Sequence, residues 1–82
     1  MCPDTFSSVR VVARTSARKD TKYPVQLLAD GSIAIGEPVL LAVATHAPDP
    51  LKAALAAGCR YVAIFSEPVS DGQITSVEIR LE

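Results

Sequence analysis

Apolar and polar residues alternate along most of this chain with a period of two, the signature of half-buried strands. In Ser8–Arg14, Val9, Val11 and Ala13 point one way and Arg10, Val12 and Arg14 the other. Thr15–Thr21 is polar and reads as a connection. Tyr23–Ala29 alternates again, with Tyr23, Val25, Leu27 and Ala29 on one face, and Pro24 suits the entry to a strand. Asp30-Gly31 follows, then Ser32–Ile35. Asp-Gly between two alternating runs predicts a tight hairpin with a type I′ turn, in which both central residues adopt positive φ.

Gly36-Glu37-Pro38 interrupts the pattern. The β-branched content of Val39–Thr45 predicts a strand buried on both faces; a short helix starting at Pro38 is the alternative. One helix stands out: Asp49 suits the N-cap, Pro50 the first helical position, and Leu51, Ala54 and Leu55 form one stripe. Gly58 is placed to end it in a left-handed conformation. A helix this short needs a sheet to pack on. Arg60–Ser66 predicts a central strand, Asp71-Gly72 a second turn of the favoured hairpin type, and Gln73–Glu82 a final strand. In that strand Val77, Ile79 and Leu81 oppose Glu78, Arg80 and Glu82.

The fold class this implies is α+β: a small single domain with a mostly antiparallel sheet of roughly four to five strands, in two hairpins, and one short helix on one face. Residues 1–7 are expected to form a flexible tail ahead of the domain at 8–82. With 82 residues there is room for a single core. The longest apolar stretches, Val39–Ala44 and Tyr61–Phe65, fall far short of a membrane span, which needs about 20 residues. The N-terminus lacks the basic and apolar regions of a secretory signal, so the expected location is cytoplasmic. There Cys2 and Cys59 are expected to stay reduced, Cys2 in the tail and Cys59 packed as a small apolar side chain.

Charge is unevenly spread. Met1–Lys22 carries five cations (Arg10, Arg14, Arg18, Lys19 and Lys22) against two carboxylates, whereas Tyr23–Glu82 carries three against seven. Such asymmetry marks candidate interaction faces. The basic side comprises the five cations just named; the acidic side is represented by Glu67, Asp71 and Glu78.

Catalytic motifs are scarce. Gly31, Gly36, Gly58 and Gly72 form neither a dinucleotide fingerprint nor a phosphate-binding loop. Cys2, His46 and Cys59 lack zinc spacing, so no metal site and no cofactor are expected. Cys59 with His46 is the one nucleophilic pair to consider, but Cys59 follows a predicted helix C-terminus, where the dipole disfavours a thiolate. Glu37 and Glu67 each precede a proline, as charged strand ends before a breaker do.

The leading expectation is a non-enzymatic protein-binding module, for example an inhibitor or modulator of the anti-CRISPR, antitoxin or immunity-protein kind, a class-level inference from small size and missing cofactor motifs. It would act through an exposed sheet edge, at Gln73–Leu81 or Val9–Arg14, or through a charged face. Its partner would be another protein, with a homodimer by strand pairing as one form and no membrane involved. The alternative is a nucleic-acid-associated module using Arg10–Lys22, although only Tyr23 offers an aromatic nearby. A small cysteine-dependent enzyme is the weaker alternative.

Overall fold

The computed structural model describes residues 2–37 and 39–82. Six strands and one helix follow in the order β1 (Thr5–Ala13), β2 (Lys22–Leu27), β3 (Ile33–Ile35), β4 (Ala42–Ala44), α1 (Asp49–Ala56), β5 (Tyr61–Phe65) and β6 (Ile74–Leu81). They do not form an open sheet with a helix on one face. They close into an antiparallel barrel with the strand order β1-β4-β3-β2-β5-β6, in which β6 pairs with β1. The α+β expectation is thereby corrected to a β-barrel carrying one short helix.

Closure follows from what the strands present inward. Ala13, Ala42 and Ala63 are fully buried and Ala44 nearly so, beside Tyr61, Phe65, Ile33, Ile35 and Ile79. The register sets large against small: Ile33 opposes Ala44, Ile35 opposes Ala42, and Ala63 opposes Ile79. Alternation of bulky and small side chains lets a narrow barrel fill its interior without a second layer. Closure also removes the free edges an open sheet would leave.

The helix connects the end of β4 to the start of β5 at one end of the barrel and inserts Leu51, fully buried, and Ala54 into the core. It begins one residue earlier than its sequence signals imply. Pro48 is the N-cap, without a side-chain capping bond, and Asp49 lies inside the first turn, where its charge favours the positive end of the dipole. Its C-terminus follows the sequence. Gly58 adopts φ +98°, its N–H donates to the Leu55 carbonyl, and the Cys59 N–H donates to the Ala54 carbonyl. Those paired bonds are a Schellman motif.

The turns differ from expectation in kind. The β2–β3 hairpin exists, but its loop is Ala29-Asp30-Gly31: the Leu28 N–H bonds the Ser32 carbonyl, and the Gly31 N–H bonds the Leu28 carbonyl. Within that loop only Gly31 has positive φ, +88°, so the geometry is that of a three-residue loop closed by a left-handed glycine. Asp30 Oδ1 accepts the Ser32 N–H at 2.9 Å, which holds its carboxyl below the usual range. Asp71-Gly72 does form the centre of a turn, with the Gln73 N–H bonding the Ser70 carbonyl, but that turn does not join two strands directly. β5 and β6 are joined by the long connection 66–73, in which the Gly72 N–H reaches across to the Ala13 carbonyl.

That connection and 14–21 clasp over the other barrel end through an Ala17–Val69 bridge, with both side chains buried. Of the stretch Val39–Thr45, only Ala42–Ala44 is strand; Val39 and Leu40 are exposed, and Pro38 lies outside the described residues. The tail expected over residues 1–7 contains the first three residues of β1, and Cys2 forms a disulfide with Cys59, Cα–Cα 6.0 Å. The expectation of reduced cysteines is corrected accordingly. The reason is proximity that no local pattern reveals. The Asp4 carbonyl accepts the Leu81 N–H, and the Pro3 carbonyl accepts the Tyr61 hydroxyl at 2.7 Å, which brings residue 2 to the end of the helix.

Candidate interaction surface

Barrel closure bears directly on the two predicted sheet edges. β6, the first of them, is flanked by β1 on one side and β5 on the other along most of its length. On β1, Val12 is paired to both β6 and β4, and Ala13 is paired to β4 while its N–H bonds the Gln73 carbonyl just ahead of β6. Val9 and Val11 are 4% and 1% exposed, and over Val9–Val11 β1 is paired with β6 alone. Toward its start β1 carries a bulge, with Ser7 and Ser8 together opposing Glu78. A bulge bends a strand away from further pairing. Gln73–Leu81 is thus largely enclosed between its two neighbours, and β1 keeps a flank without a strand partner only ahead of Val12.

The charged candidates separate into different environments. Arg10 projects outward from β1 opposite Ser76, and Arg14 follows just past the strand, its N–H bonded to the Leu41 carbonyl at 2.7 Å. Arg18 lies in the 14–21 connection, where its backbone N–H donates to the Tyr23 hydroxyl. Lys19 reaches Asp20 at 3.9 Å, an exposed pair worth little. Lys22 shares an outward row with Ile64 and Glu78 across β2, β5 and β6. Glu67 and Asp71 are exposed on the 66–73 connection, and Glu78 accepts a 2.6 Å bond from Arg80 Nε. The basic segment and the acidic remainder thus interleave around the barrel. Neither forms one continuous field.

One outer face stands apart. Register aligns Ile74 on β6, Val12 on β1, Val43 on β4 and Ala34 on β3 in a single row across the strands. Ile74 is 62% and Val12 38% exposed, and Val43 is partly so. Arg10 and Arg14 flank Val12 on the same side of β1. The sequence held part of this signal in Val12, an apolar residue on an otherwise basic face. The row was invisible until pairing set four strands side by side.

The Cys59–His46 pair is not assembled as a nucleophilic site, because Cys59 Sγ is bonded to Cys2. Among the described residues no group of three or more metal-ligating side chains gathers. None of their helices is long and apolar enough to cross a membrane. The chain matches no protein-family model, no curated protein and no solved structure.

Proposed function

We propose that this protein is a non-enzymatic binding module that docks on another protein through the β6–β1–β4 face. The observation that carries this reading is the exposed apolar row Ile74–Val12–Val43 bordered by Arg10 and Arg14. Apolar contact supplies most of the association free energy, and a charged border selects the partner and speeds encounter. The complementary surface is apolar with carboxylates beside it. Two copies meeting through this face about a two-fold axis would bring arginines near arginines, which disfavours a homodimer. Inhibitors and modulators of other proteins work by such contacts, and that is the class to which we assign it. The nucleic-acid alternative is weakened by the interleaving of Lys19 and Lys22 with Asp20 and Glu78. As for location, the Cys2–Cys59 bridge favours an oxidising compartment over the cytoplasm expected from the sequence.

Site-specific photo-crosslinking in the native host tests the proposal. A crosslinking residue at Val12 should capture one protein, at Val62 on β5 none. Capture at Val12 should be lost in Ile74→Asp and should weaken with rising salt in the wild type. Equal capture from both positions, or unchanged capture in Ile74→Asp, refutes the assignment. Sedimentation should give a monomer; self-association abolished by Ile74→Asp would instead identify a second copy as the occupant.

A further inference from the structure

Backbone strain in this protein gathers in one place. Among the described residues, the only non-glycine residues with positive φ are Ser8 at +58° and Asp20 at +60°. They lie on different elements, the β1 bulge and the β1–β2 connection, yet both line the same open groove of about 540 Å³ on the outer face of β1, β6 and β5. Left-handed backbone is tolerated by aspartate but is costly for serine, and such strain clusters where a side chain must be aimed. Bulges redirect side chains in the same way.

The chemistry of the lining narrows the ligand. Ser7 and Ser8 form one wall, with Ser76 and Ser66 beside them on β6 and just past β5. Each hydroxyl both donates and accepts. Formal charges on the lining balance in number: Arg80 pairs with Glu78, and Lys22 and Asp20 add one charge of each sign. A groove with no net formal charge does not select a phosphate or a polyanion. No aromatic ring lines it, so nothing stacks on a sugar or a base. Ile64, in the outward row between Lys22 and Glu78, contributes an apolar patch. The volume is in the range of small-ligand sites. Neutral groups that present a donor and an acceptor together, repeated along a chain, are peptide amides.

We infer that the groove at the Ser7–Ser8 bulge binds a short, uncharged, extended peptide segment, its amides paired with the serine hydroxyls. The site is separate from the Ile74–Val12–Val43 face and does not depend on that assignment.

Backbone-amide NMR titration tests the inference, using acetyl-Gly-Ser-Gly-Ser-amide as the probe. The expected result is saturable shifts centred on Ser7, Ser8, Ser66, Ser76 and Glu78, with Kd below about 5 mM, weaker than typical specific complexes. Ser66→Ala/Ser76→Ala should weaken binding at least about five-fold, a loss of roughly 1 kcal/mol, while Ile74→Asp leaves it unchanged. Ser8→Gly relieves the left-handed strain and should raise Tm by about 4 °C while weakening binding. The inference fails if the peptide gives no saturable shifts, if inorganic phosphate or maltotriose shifts these amides more strongly, or if Ser8→Gly binds as well as wild type. A lower Tm in Ser8→Gly overturns the assignment of strain to that residue.

Discussion

Reduction of the Cys2–Cys59 bridge is the most informative perturbation of the fold. The bond spans a sequence separation of 57 residues, which is most of the chain. Closing a loop of that size removes unfolded-state entropy worth about 4 kcal/mol at 25 °C in the chain-entropy model. For a domain of this length, each kcal/mol corresponds to roughly 4–8 °C in Tm, so the expected loss is about 20 °C. The folded state should change little at first. The Tyr61 hydroxyl still donates to the Pro3 carbonyl, the Leu81 N–H to the Asp4 carbonyl, and the Phe6 ring still meets Tyr61 edge-on at 5.6 Å. The effect therefore belongs mainly to the unfolded chain. Calorimetry of the oxidised protein, the protein in a phosphine reductant, and the Cys2→Ser/Cys59→Ser variant provides the comparison. Reduced and double-serine forms should melt together, well below the oxidised form, and keep its far-ultraviolet circular dichroism at 20 °C. A drop under about 5 °C, or two reactive thiols per chain in the native oxidised preparation, refutes the reasoning.

Three further outcomes are expected. In Gly36→Ala the new Cβ would sit 2.5 Å from the Val39 carbonyl oxygen and 2.8 Å from Leu41 Cγ, at φ +107°, so urea unfolding should show a loss of about 2–4 kcal/mol; Gly31→Ala, with open space around it, should cost only about 1 kcal/mol. Leu51→Ala empties the fully buried position through which the helix joins the core and should cost about 3 kcal/mol by the same assay, with Leu55→Ala, on the half-buried flank, costing less. Burial, and secondarily the Asp4 charge, raise the Tyr61 pKa, so its stabilising contribution is complete below the unfolded tyrosine pKa and is lost as pH rises through the higher folded value. An ultraviolet titration should show Tyr61→Phe removing a transition that lies above the unfolded tyrosine range, and an unchanged titration curve in that variant would contradict this.

Much of the local structure was legible in the residue pattern. Alternation located β1, β2, β5 and β6, because a strand's two faces repeat every second residue whatever it pairs with. Gly58 marked the helix stop, since few other residues adopt that backbone conformation cheaply. Signals that depend on neighbours were less secure. Asp30-Gly31 correctly announced a hairpin, but the hydrogen bonding of Leu28 to Ser32, not the dipeptide, decided the loop type. Ala17 and Val69 sat in stretches dominated by polar residues and became core only by bridging two connections.

The candidate surface divides in the same way. Which side chains alternate outward, Arg10, Val12 and Arg14 among them, belongs to the sequence alone, as do the chain's opposed charge blocks. That those blocks interleave, that Val12 lies between Ile74 and Val43, and that Ser8 and Asp20 line one groove were decided by the tertiary structure. The physical reason is separation along the chain. The barrel is completed by pairing Thr5–Val12 with Ile74–Arg80, and the disulfide joins the same distant regions. A period of two states which face of each strand is apolar; it carries no information about which strand will lie beside it.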